Sequence, residues 1–148
     1  MRFMRCVIAF ALLSAGLARA LADDAATEAG KLEGQWRVAH RAYKDSKANA
    51  DVSKILLNLG TKVEIKDGKL SSCDPDKAGR HLDVEFDGTV TPKTVDLTVP
   101  GKKKRVLLGI YRLEDDILSL AVGAGDERPK GFRDSKDQIL LVMKRVKK

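Results

Sequence analysis

Gln35-Trp36-Arg37-Val38-Ala39-His40-Arg41-Ala42-Tyr43 changes character at almost every residue. Trp36, Val38, His40 and Ala42 fall on one face, and Gln35, Arg37, Ala39 and Arg41 on the other. That is the period-two signature of a half-buried strand. The same signature recurs downstream. Thr61–Lys66 turns Val63 and Ile65 inward, Asp67-Gly68 forms a tight turn, and Lys69–Cys73 returns. His81–Phe86 sets Leu82, Val84 and Phe86 against Asp83 and Glu85, and Thr94–Val99 sets Val95, Leu97 and Val99 inward. Val106–Leu113 and Ile117–Val122 flank the turn Glu114-Asp115-Asp116, and Gln138–Val146 is the last strand. Only Ser46–Leu59 departs from the alternation. There Ala48, Val52, Ile55, Leu56 and Leu59 recur at helical spacing, with Ser46 or Asp51 as cap.

Short strands with turn signals at regular intervals predict an all-β sandwich or barrel of about eight strands, with one short helix after the first. Short links favour sequential antiparallel pairing, in an up-and-down order. Pairing the first strand with the last then closes the barrel and removes both free edges.

Outward from this core, the chain is short and sparing in special chemistry. Its 148 residues, 43% hydrophobic and 33% charged, suit one small ordered domain. Two cysteines exclude a disulfide-dense scaffold, and two histidines disfavour a His-built metal site. Residues 1–22 read as a signal peptide. Arg2 and Arg5 form a basic start, Val7–Leu17 is apolar, and Ala20-Leu21-Ala22 is a small-residue cleavage site. Cleavage after Ala22 implies a secreted or periplasmic protein with no membrane span. It removes Arg2, Arg5 and Arg19 and lowers the formal charge from +7 to +4. It also leaves Cys73 alone, with no base beside it to activate the thiol. Residues 23–31 are small and polar, a flexible lead-in to a domain over 32–148.

Leu32-Glu33-Gly34-Gln35-Trp36 resembles the Gly-x-Trp opening of lipocalin-like barrels. More specific pieces follow in order: Thr61–Gly68, Pro92–Thr98, Leu108–Leu113, Asp116-x-Leu118-x-Leu120, Glu127-Arg128-Pro129 with Phe132, and Leu140–Arg145. Together they resemble a family of small secreted lipocalin-like domains of uncharacterised function, abundant in planctomycete bacteria. The resemblance implies that Trp36 closes one barrel end and that a basic residue of the last strand, Lys144 or Arg145, packs over its ring. Cation–π attraction supplies the physical reason. Lys44–Gly60 is richer in helix formers than the family's loop, and Ala121–Asp126 lacks its Cys and Pro-Gly.

The side chains that carry chemistry are few. Asp83, Glu85, Asp87, Asp96 and Glu114–Asp116 sit at turns or on polar strand faces, where a solvated role is the simplest. Asp74-Pro75-Asp76 lacks the spaced ligands of a calcium loop. No Ser-His-Asp spacing and no phosphate loop is present, which disfavours an enzyme. Lys102-Lys103-Lys104-Arg105 is the sharpest charge feature; Lys44, Lys47, Lys147 and Lys148 are candidates to extend it. Aromatic residues to stack nucleic-acid bases are too few. No cofactor is indicated. Trp36, Val38 and His40 are therefore the candidate ligand-binding face inside the barrel, and Arg128 the candidate anion-reading fork at its mouth. Arg128 has an alternative role as a fixed ion pair with Glu127 or Asp126. The expected function is a non-enzymatic binder of a small apolar or amphipathic ligand. The alternative is a filled-core module that docks partners or polyanions through its loops. Small interior residues (Ala42, Gly109 or Ala121) would favour the first; Phe86, Leu97, Leu118 and Leu120 inside would favour the second.

Overall fold

The computed structural model describes residues 28–133 and 135–148. The signal-peptide reading of 1–22 lies outside them. Eight strands run β1 (Gly34–Ala42), β2 (Lys62–Lys66), β3 (Lys69–Ser72), β4 (His81–Asp87), β5 (Thr94–Val99), β6 (Arg105–Glu114), β7 (Ile117–Gly123) and β8 (Gln138–Arg145). One α-helix, α1 (Lys47–Leu57), follows β1, and a 3-10 turn (Pro75–Lys77) follows β3. Each strand pairs antiparallel with the next, and β1 pairs with β8, so the sheet is a closed barrel. Closure satisfies the edge backbone groups that an open sheet of this size would leave unpaired.

The two ends of the barrel are built differently. The lower end carries the start of β1, the end of β8 and the β2–β3, β4–β5 and β6–β7 turns. Asp67 (φ 50°), Gly68 (φ 70°) and Asp115 (φ 52°) supply the left-handed backbone that tight hairpins need. The upper end carries α1 and the β3–β4, β5–β6 and β7–β8 loops. Helix α1 forms because Ser46 caps it, accepting from Asn49 N–H at 3.0 Å, and because Asn49, Val52, Ser53 and Leu56 make one buried face. Val52, Leu56 and Leu59 join the barrel core from above.

The interior is filled. Trp36, Val95, Leu97, Leu118 and Val122 are 0% exposed, and Leu120, Ile139 and Met143 are 1% exposed. Such surfaces touch neither solvent nor a void large enough for water. Of the three small residues considered for the interior, only Gly109 faces in by register. A Cβ there would lie 3.0 Å from Val95 Cγ1, so its space is already taken. Ala121 faces out, as does Ala42, opposite half-buried Leu140. Phe86, Leu97, Leu118 and Leu120 pack in the core instead.

One local feature overturns the face assigned to β1. Val38 pairs with Met143, but His40 pairs with Val142, so Ala39 is an extra residue in a β-bulge. The bulge shifts the alternation by one. Trp36 and Val38 point inward, whereas His40 is exposed on the outside and half-buried Arg41 takes the inward position opposite Leu141. The lead-in also differs from expectation in part. Residues 28–32 form a helical turn, with Leu32 0% exposed beneath the barrel.

Candidate functional site

The lower end is a plug. Trp36 Nε1–H donates to Leu32 O at 2.9 Å, which satisfies the buried indole. Of the two basic candidates on β8, Arg145 stacks on Trp36, its guanidinium carbon 4.3 Å from the ring centroid. Arg145 also donates to Glu33 O and Lys31 O and pairs with Asp116 at 3.3 Å. Beside it, Glu28 accepts from Lys93 and, at 3.1 Å, from Tyr111 Oη. The Lys93 ammonium holds the Glu28 carboxyl below its usual range, against the opposing effect of burial and with help from Tyr111. Burial, with Glu28 adjacent, raises the Tyr111 phenol above its own. A Cβ at Gly88 would lie 2.7 Å from Glu28 Cγ, so a side chain there would displace the Glu28 carboxylate. Trp36 is thus a structural closure.

Arg128 does not reach the barrel mouth. It lies on the outer wall, 2.8 Å from Asp96 on β5, and its Nη1 donates to Val95 O and Gly109 O at 3.2 and 2.7 Å. Its carboxylate partner is therefore Asp96, rather than Glu127 or Asp126. The contact answers a conflict in the sheet: Asp96 stands directly opposite Glu85, a like-charge pair that destabilises adjacent strands. The described residues around Arg128, from Glu127 to Phe132, lie over the outside of the wall. Pro129 Cδ lies 3.4 Å from the Cβ position of Gly123, Arg112 stacks on Phe132, and Gln138 Nε2 donates to Gly131 O and Arg133 O. This cover explains why Ile110 and Ala121 face outward and are nevertheless 0% exposed.

The candidate residues therefore do not converge. Trp36 and Val38 lie in the core, His40 outside on β1, and Arg128 on the far wall. The chemistry-bearing groups elsewhere are mostly engaged in structure. Asp74 accepts from Thr61 N–H at 2.8 Å, and Gly60 (φ 82°) leaves room for that carboxylate. Burial, with Glu64 adjacent, raises the Cys73 thiol, the opposite of what a nucleophile needs. Among the described residues no group of three or more His, Cys, Asp or Glu could hold a metal ion. The basic residues also separate. Lys102–Arg105, Lys44 and Lys47 belong to the upper end, but Lys147 pairs with Asp116 at the lower end.

A cleft does open at the upper end. It measures about 390 Å³ and lies between the end of α1, the β3–β4 loop and the end of β5. Ile55, Leu59, Leu82 and Val99 give it an apolar floor, and Asn58, Arg80 and His81 give it a polar side. His81, on the β4 face of Asp83 and Glu85, is half-buried at the cleft, its Nδ1 3.3 Å from Gly79 O. Sequence reasoning missed this site because its walls come from three segments with no shared motif. The one legible signal was Pro100-Gly101 followed by four cations, which marks a loop at a barrel end.

The fold and its closures define a filled, eight-stranded up-and-down barrel with a single cap helix. Comparison with family models, curated proteins and solved structures returns no match for the chain.

Proposed function

We propose that this chain is an exported, non-enzymatic, lipocalin-like module that takes a small amphipathic ligand at the upper cleft rather than inside the barrel. The observation that carries the reading is the contrast between a core whose central side chains are 0–1% exposed and a cleft of about 390 Å³. That volume and an apolar floor with a few polar groups suit a small-molecule site. Engaged carboxylates and a raised thiol support binding over catalysis. Apart from Arg41 and Arg145 at its two ends, the interior is lined mainly by apolar side chains, while Asp83, Glu85, Asp87 and Lys144 lie outside, the reverse of a membrane-spanning barrel. No described helix is long and apolar enough to cross a membrane. The lipocalin-like family resemblance fits the barrel order and the Arg145–Trp36 stack.

The test is native mass spectrometry of the full chain after expression in a bacterial host, with the periplasmic fraction purified without detergent. The expected result is a mass matching residues 23–148 plus a discrete adduct lost on denaturation. Val99→Trp, which fills the cleft, removes the adduct. An adduct that survives this substitution places the ligand elsewhere and overturns the reading. A second reading, a docking module without a ligand, is favoured by the same filled core and by the exposed Lys102–Arg105 loop. A bare mass after exposure to a lipid and metabolite extract selects it.

A further inference from the structure

Granting a ligand at the upper cleft, we infer that it is a small single-chain amphipathic anion, with its carboxylate-like head at Arg80 and its apolar tail on Ile55, Leu59, Leu82 and Val99. Four observations meet here. First, the residues lining the cleft include Arg80 and His81 and no acid. Second, Arg80 is exposed and makes only long contacts, to Asn58 O at 3.4 Å and Asn58 Oδ1 at 3.3 Å. Among the described residues it has no carboxylate partner, whereas Arg112, Arg128 and Arg145 each hold one. A guanidinium fork beside an apolar floor is well matched to a carboxylate.

Third, of the two acids on the β3–β4 loop, Asp74 is already committed, since its Oδ2 accepts from Thr61 N–H. Asp76, in the 3-10 turn, is the other acid of that loop. Fourth, Pro100 lines the cleft and leads directly into Lys102-Lys103-Lys104-Arg105, all exposed. Lys77, whose Nζ donates to Leu57 O, adds a further positive charge beside the end of α1. The rim thus has a positive field that draws an anion in, and the floor selects one with an apolar tail. The cleft lies at the small end of ligand-site volumes, which favours a short single chain over a two-chain lipid.

The experiment compares three probes with the same ten-carbon tail: decanoate, decanol and decyltrimethylammonium. Each is titrated below its aggregation concentration into the full exported chain, with binding followed by backbone amide NMR shifts. Decanoate is expected to shift residues of the cleft and to bind about tenfold tighter than decanol, as one charge-assisted pair allows. Decyltrimethylammonium is expected to bind more weakly than decanol. Arg80→Gln removes the preference for decanoate and leaves decanol binding unchanged, a result that unfolding could not give. Equal binding of the three probes overturns the anion assignment and leaves the cleft reading standing. No binding of any probe overturns both. Decanoate inert beside Arg80-dependent sedimentation with phosphatidylglycerol vesicles overturns the assignment in favour of a membrane surface.

Discussion

Arg145 shows how much one side chain can organise. Its planar guanidinium covers Trp36, donates to two carbonyls of the segment before β1 and meets Asp116 on the β6–β7 turn. Lysine has the charge but neither the flat face nor the fork. Arg145→Lys is therefore expected to lose most of what Arg145→Ala loses, about 2 kcal/mol from the charged hydrogen bonds and the stacked cation. Urea denaturation of the pair measures this, and a lysine variant as stable as wild type would refute it. Glu28 adds a pH dependence with a definite sign. Its folded pKa lies below its unfolded value, chiefly through Lys93. Its contribution is complete above the unfolded value and is lost as pH falls through the folded one. Glu28→Gln is expected to flatten the acid limb of the stability curve. An unchanged limb would show that the Lys93 pair contributes nothing.

At the scale of elements, the bulge in β1 and the loop over β5–β8 are the features that alternation could not show. A bulge adds one residue without changing composition, so the run from Gln35 to Tyr43 reads as a continuous strand while its inner face changes after Val38. His40→Ala is accordingly expected to change stability by less than about 0.5 kcal/mol, as an exposed site should. Met143→Ala, across from Val38, is expected to cost about 2–5 kcal/mol. Similar losses from the two would put His40 back inside. The β7–β8 loop was legible as long and rich in glycine and charge, and an ion pair at Arg128 as one of two readings of that residue. The partner was not, because Asp96 lies 32 positions away and becomes a neighbour only when β5, β6 and β7 are side by side. Arg128→Gln is expected to speed amide exchange across 124–137 with little change in β1–β4. Uniform loss of protection across the barrel would instead mean that Arg128 supports the global fold.

At the scale of the molecule, closure and filling decide where function can reside. The upper end is held by α1 and its bonds to the flanking segments: Asn49 Nδ2 donates to Lys44 O before the helix and to Ser135 O in the long loop, and Ser46 Oγ donates to Lys136 O of that loop. The lower end is held by the Trp36 and Glu28 clusters. With the interior occupied by large side chains, a ligand inside would require core side chains to leave their places. Leu118→Ala tests this from the other direction. It is expected to cost about 2–5 kcal/mol and to leave any binding at the upper cleft unchanged, since a new core cavity has no path to it. Binding that strengthens in this variant would mean that the ligand uses the interior.

The sequence by itself determined the strand count, the order of elements, the helix with its cap narrowed to Ser46 or Asp51, and most inward residues. These are local properties: periodicity, turn dipeptides and capping depend on residues within a few positions of one another. The resemblance to lipocalin-like barrels narrowed the cation over Trp36 to two neighbours. Only the tertiary structure chose Arg145, turned His40 outward, joined Arg128 to Asp96 and assembled Ile55, Arg80, His81 and Val99 around one cleft. Those outcomes depend on register and on contacts between segments distant in sequence. Neither composition nor alternation records them, because a one-residue bulge or the closing of β1 on β8 changes every neighbour of a side chain without changing the side chain itself.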